Sequence, residues 1–156
     1  MQAHGYTMME LLVTMAIVAI VTAIGVPSFN YIITGTRMGN EIDRMVYDVN
    51  FARSEAVKRG TPVMLCPSSN GSICAGGTDW SNGWIALTGS TAIRISPALS
   101  SGDTLTGIQG GNLTSNGYSF LSGTLSLHEA SNDPNRRRCI VFSTGSWLIT
   151  KGSACP

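Results

Sequence analysis

ELLVTMAIVAIVTAIGVP, residues 10 to 27, is the stretch that decides how this chain folds. No charged residue occurs from Leu11 to Thr36, and Leu11 to Val26 is almost wholly apolar. A helix of this length and composition meets the demands of a bilayer, because its backbone satisfies itself and its side chains need no water. Near the start of a sequence, the obvious rival is a cleaved secretory signal with a small-x-small site at Ala23 to Gly25. Two features oppose it. Glu10 heads the run where an ordinary signal carries positive charge, and a carboxylate at the centre of a bilayer costs roughly 3 kcal/mol, so it wants a partner. Past Pro27 the chain runs on into an amphipathic helical pattern rather than a polar mature start.

Pro27 removes a helical donor and crowds the preceding turn, so a bend or local unwinding is expected near Gly25 to Ser28. Gly35 and Gly39 add weak points. After Arg37, Ile42, Met45, Val46, Val49, Ala52 and Ala56 recur at helical spacing, a face expected to dock on a folded head. Asp43, Arg44 and Asp48 are expected on other sides, with Glu55 and Arg59 as an i, i+4 pair. Gly60 and Thr61-Pro62 end the helix.

The 156 residues are 43% hydrophobic, enough for one anchor and one domain with a core. Ten Lys plus Arg against nine Asp plus Glu leave a net charge of +1, so no global field advertises nucleic acid or an acidic partner. From Thr61 onward Gly, Ser, Thr and Asn abound, the composition of short strands joined by turns. Strands are expected at residues 62–66, 83–87, 92–96, 104–108, 118–121, 124–128, 138–143 and 147–150.

Cys66, Cys74, Cys139 and Cys155 form no C-x-x-C pair, and with only His4 and His128 beside them the reading is two disulfides in an oxidising compartment, not a metal site. Three connectivities are open. The short intervening turn favours Cys66 with Cys74, leaving Cys139 with Cys155 around the last two strands.

Gly5-Tyr6-Thr7-Met8-Met9-Glu10-Leu11 resembles the prepilin signature. In that family a dedicated peptidase cuts after a glycine and the new N-terminus is methylated. The resemblance implies a cut after Gly5, N-methylation of Tyr6, an assembly role for Glu10 and a helix kink at Pro27. The leader Met1 to Gly5 carries no Lys or Arg, although family leaders are usually basic; an upstream start would supply them. Glu10 is expected to pair with the Tyr6 amine of a neighbouring subunit, neutralising two charges in an apolar filament core.

Phe51-Ala52-Arg53-Ser54-Glu55-Ala56-Val57, Cys66-Pro67-Ser68 before Cys74, and Asp79-Trp80-Ser81-Asn82-Gly83-Trp84-Ile85 resemble the branch of minor pilins and pseudopilins named GspH, FimT and FimU. This second resemblance implies an α+β fold, a long N-terminal transmembrane and amphipathic helix packed on an antiparallel two-sheet head. Its organisation would be leader 1–5, transmembrane and filament-core helix 6–33, amphipathic half 34–60, and a periplasmic disulfide-bonded head 61–156. The implied partners are other pilin or pseudopilin subunits, the prepilin peptidase and methyltransferase, and the inner membrane. Membership implies a low-abundance subunit that helps start or cap a type IV pilus, or the pseudopilus of type II secretion.

The residues support no enzyme and no cofactor: there is no nucleophile elbow, no Walker loop, and no metal-ligand spacing. His128-Glu129 is a lone pair, and Gly76-Gly77 and Gly110-Gly111 are read as turns. Trp80, Trp84 and Trp147 are read as core anchors rather than a sugar platform. Arg136, Arg137 and Arg138, with Lys151, form the one concentrated basic patch, offset by Glu129 and Asp133. Strand alternation is expected to split it. Some members of the branch bind DNA through a Gly-Arg-x-Arg motif, but the matching stretch here is Thr144-Gly145-Ser146-Trp147-Leu148, so DNA is expected as a weak partner only.

Overall fold

A computed structural model describes residues 7–100, 102–152 and Cys155. Gly5 and Tyr6, the expected cleavage and methylation positions, lie outside the described residues. Helix α1 spans Met8–Arg59, and the strands are β1 (Val63–Pro67), β2 (Trp84–Thr88), β3 (Thr91–Ser96), β4 (Thr104–Thr106), β5 (Gly111–Leu113), β6 (Gly123–His128), β7 (Arg138–Ser143) and β8 (Ser146–Lys151). The fold is one long N-terminal helix followed by two antiparallel sheets. It divides into two compact units, Met1–Arg37 and Met38–Pro156.

In the first unit the helix runs unbroken through Pro27, and Gly25 to Ser28 all remain helical, so the local unwinding expected there does not occur. Threonine hydroxyls in the apolar run find acceptors on the helix itself: Thr14 Oγ1 donates to Leu11 O at 2.9 Å and Thr22 Oγ1 to Val18 O at 2.8 Å. That removes the cost of carrying them where no water is available.

The second unit is the head, and its helical part supplies one wall. Of the face that the helical spacing marks out, Ile42, Met45, Val49, Ala52 and Ala56 are buried, joined by Met38 one turn earlier, while Val46 packs against them from a half-buried position. They share a core with Leu65, Trp84 and Leu113 of the first sheet and with Leu105, Leu125, Leu127, Ile140 and Phe142 of the second. Each large apolar side chain so buried contributes about 1.5–3 kcal/mol. The helix stops at Arg59 because Gly60 takes a φ of +65°, a left-handed conformation that costs glycine little.

Strand order in the first sheet is β3-β2-β1-β5, and in the second β4-β6-β7-β8. Trp84 and Ala86 of β2 face the helix, whereas Ile85 and Leu87 pack with Cys66 in a separate small cluster that includes Met64, Cys74 and Ala92. The disulfide loop Cys66–Cys74 thus roofs the far face of the first sheet, which explains why β2 is apolar at consecutive positions. The second disulfide joins Cys139 of β7 to Cys155, with 5.6 Å between the Cα atoms, as in the first. These are the pairings favoured by the short loop.

Seven of the eight expected strands have counterparts within a few residues, and the exception is instructive. Tyr118–Leu121 is not a strand; β5 lies instead at Gly111–Leu113, so Gly111 is strand rather than turn. Leu113 pairs with Val63 of β1, and the chain then turns so that Leu113 and Ser119 form a single bridge. Gly110 leads in because any side chain there would collide with β1: an added Cβ would lie 2.6 Å from Cys66 Cβ and 2.7 Å from Leu65 O. β4 ends at Thr106, two residues early, because the Gly107 N–H turns to Thr78 O at 3.1 Å.

Candidate functional site

Three parts of the molecule bear on function: the N-terminal end of the helix, the joint between helix and head, and the basic end of the second sheet. At the first, Thr7 caps α1. The Glu10 N–H donates to Thr7 Oγ1 at 3.2 Å, the arrangement of a Thr-x-x-Glu helix start. The Glu10 carboxylate stands in the first turn, where the helix dipole favours negative charge. Beyond it Leu11, Leu12, Met15, Ile17, Val18, Ile20, Val21 and Ile24 are all exposed. The helix is long and apolar enough to cross a membrane by length and composition, and none of its most apolar window is buried. An exposed apolar surface of this extent needs lipid or protein around it.

At the joint, Asp48 is not on a solvent side of the helix, as its charge suggested, but fully buried. Its carboxylate accepts hydrogen bonds from Trp84 Nε1 at 2.8 Å, from the Arg94 guanidinium and from the Ser96 hydroxyl. Burial of a charge is tolerable only when it is paired and bonded in this way. Arg94 is in turn stacked between Tyr47 at 4.8 Å and Phe51 at 5.4 Å. Arg44 lies over Trp84 at 4.6 Å, pairs with Glu41 at 2.9 Å and donates to Pro97 O at 3.1 Å. These contacts fix the helix against β2 and β3. Only Asp43 of the three charged residues expected on other sides is exposed.

The tryptophans differ among themselves. Trp80 and Trp84 are buried, with Trp80 Nε1 donating to Ile108 O at 2.8 Å. Trp147 packs against the core from a half-buried position, its ring covered by Arg53 at 4.9 Å, while Arg53 Nη2 donates to Gly145 O at 3.0 Å. Glu55 binds Arg59 at 2.6 Å, which holds the Glu55 carboxyl below its ordinary value; Lys58 at 3.7 Å acts in the same direction.

The basic patch does not form as an alternating strand. Pro134–Arg136 make a short 3-10 helix capped by Asp133, and β7 begins only at Arg138. Arg136 turns to Glu129, with Nη1 at 2.9 Å from both carboxylate oxygens, and its Nε lies 3.5 Å from Asp133. Arg137 donates to the Asn132 amide at 3.2 Å. Arg138 and Lys151 stand directly opposite one another across β7 and β8. His128 bonds Asn132 through Nδ1 at 2.9 Å, and Glu129 is committed to Arg136 and Ser131, so His128 and Glu129 do not act on a common point. Among the described residues no cluster of His, Cys, Asp and Glu could hold a metal.

An apolar N-terminal helix joined to a two-sheet head of this topology defines a type IV pilin-like subunit. The sequence matches the model of the family described as type II transport protein GspH over residues 41–146, and that of the prokaryotic N-terminal methylation motif over residues 1–26. The chain belongs to the GspH family. A crystal structure of the type IV minor pilin FimU from Pseudomonas aeruginosa is similar at a TM-score of 0.60 and 17% identity, covering 82% of this chain and 96% of that one. A second crystal form of the same protein gives 0.52 and 18%, covering 76% and 94%. At such identities the likeness speaks for the fold. No curated protein matches the sequence.

Proposed function

We propose that this chain is a minor pilin of a type IV pilus, a low-abundance subunit that helps start or cap filament assembly through its N-terminal helix and its head. The observation that carries the proposal is the exposed apolar helix, headed by Glu10, on the same chain as a disulfide-bonded head with the fold of a type IV minor pilin. In this reading the prepilin peptidase cuts after Gly5, Tyr6 is methylated, the helix crosses the inner membrane once and the head lies in the periplasm. Glu10 pairs with the α-amine of a neighbour, and Pro27 bends the helix where subunits stack. No catalysis is involved; the work is assembly.

A second reading, a pseudopilin of type II secretion, is favoured by the description of the family whose model covers residues 41–146. Deleting the gene and measuring surface pili and secreted enzymes in parallel separates the two. Loss of pili with normal secretion supports the pilus, and the converse supports secretion. DNA contact is a minor property in either case, because Glu129 and Asp133 already neutralise Arg136.

A further inference from the structure

Each sheet of the head has two edges, and an unpaired edge is a template for another strand unless the fold blunts it. Three are blunted. The edge of β4 is occupied by residues 78–80: Asp79 bridges Thr106, and the Trp80 N–H donates to Leu105 O at 2.8 Å. The edge of β5 is taken by the returning chain, where Ser119 bridges Leu113 and the Phe120 N–H donates to Asn112 O at 2.9 Å. β3 pairs with β2 through a register shift and carries Arg94 in its middle, bonded to Asp48.

Among the described residues no segment bridges the edge of β8, and its one charged residue, Lys151, stands at its end rather than its middle. The strand is six residues long, free of proline, and keeps register with β7 from Ser146 to Lys151 without a bulge. Past β8 the Gly152 N–H donates to Arg137 O, on the β7 side, and Cys155 is joined to Cys139 of β7. The Gly152 bond also fixes which main-chain groups are free. Bonded pairs alternate along an antiparallel ladder, so Ser146, Leu148 and Thr150 turn toward β7, while Trp147, Ile149 and Lys151 present N–H and C=O outward. Leu148 is 64% exposed and Ile149 39%.

Charge at one end of this edge says what belongs there. Arg138 and Lys151 face each other at a pair that makes no bonds between the strands, the closer kind of pair, where like charges repel. Among the described residues Arg138 Nε is buried without an acceptor, and no carboxylate reaches either cation. A carboxylate laid beside them would relieve the repulsion.

We infer that β8 receives an extended segment of a neighbouring pilin-type subunit, added as a fifth strand to the second sheet, with an Asp or Glu in register with Lys151 and apolar residues alternating beside Leu148 and Ile149. A strand fits this site better than nucleic acid, because the free edge offers alternating donors and acceptors and only its end is basic. The inference rests on the pilin reading above and names where such a partner docks.

Amide exchange of the full-length mature chain, alone in detergent and within the assembly recovered from its own cells, tests this. The Trp147, Ile149 and Lys151 amides should exchange freely in the isolated chain and about tenfold or more slowly in the assembly. Ile149→Pro removes one outward N–H and leaves the β7 ladder intact, and Lys151→Glu reverses the charge without touching the backbone. Each should enter the assembly about tenfold less than wild type, the effect of roughly one lost docking contact. Equal exchange in both states overturns the inference, as does wild-type incorporation of both variants. Protection produced by duplex DNA, or by raising the concentration of this chain alone, overturns it too. Glu10→Ala separates the levels. If that variant is excluded while Ile149→Pro and Lys151→Glu enter normally, the edge inference alone fails; if the wild-type chain itself is recovered in no assembly, the pilin reading fails with it.

Discussion

Removing the Asp48 carboxylate would leave Trp84 Nε1, the Arg94 guanidinium and the Ser96 hydroxyl facing the core without their common acceptor. Breaking a buried pair from one side costs about 3–5 kcal/mol. Asp48→Ala should therefore lower the stability of the head by that amount in denaturant titration of the full-length chain in detergent, whereas Asp43→Ala, at an exposed position, should change it little. Two other acids give the pH dependence a sign. Arg59 holds Glu55 below its ordinary value, and the Ser81 hydroxyl and amide do the same for Asp79. A carboxyl depressed in the folded state contributes stability that is present above its unfolded value and lost as pH falls through its folded one. Acid titration should thus show stability falling below about pH 4.5, the ordinary Glu value, with a smaller fall in Glu55→Gln. Asp48 was not legible as a core residue because its partners lie 36 to 48 residues away, and helical periodicity sees only apolar neighbours. Trp80 and Trp84 were legible, since a large aromatic in a small β-rich head has nowhere else to go.

At the scale of elements, the C-terminal hairpin depends on its disulfide. Cys139–Cys155 closes a loop with a sequence separation of 16, which in the entropic account is worth about 3 kcal/mol. Replacing both cysteines with serine should loosen β7 and β8 first, seen as faster exchange at Ile140, Val141 and Leu148 while β1 and β2 keep their protection. Gly110→Ala should cost about 1–3 kcal/mol, because its Cβ has no room beside β1. That close approach also explains why β5 escaped the sequence. Gly110 and Gly111 carry the signature of a turn, and Tyr118 to Leu121 that of a strand, but the chain enters β5 so close to Leu65 and Cys66 of β1 that only glycine fits at Gly110. The remaining strands were legible from β-branched and aromatic runs between turn residues. The 3-10 helix at Pro134 was not, because Asp133 caps it from within a stretch that reads only as polar and basic.

For the whole molecule, the sequence announces its two parts plainly: an uncharged apolar run and a cysteine-bearing, turn-rich remainder are physically incompatible in one globule. Which way the head's polar edges face is a matter of strand order, which no local pattern encodes, so the open edge of β8 emerges only from the topology. Filament incorporation is where Glu10 should act. Glu10→Ala is expected to insert and fold normally but to be depleted from filaments about tenfold, since the neighbour's buried amine is left unpaired. Normal incorporation would remove Glu10 from the assembly account. The pilin reading stands on how the chain is processed, and the intact mass of the mature protein purified from its own membranes measures that directly. The predicted mass is that of a chain beginning at Tyr6 with one methyl group on its α-amine and two disulfides in the head. A mature chain beginning near Gly25 or Val26 would mean a cleaved secretory signal, leaving no anchor helix and contradicting the pilin reading.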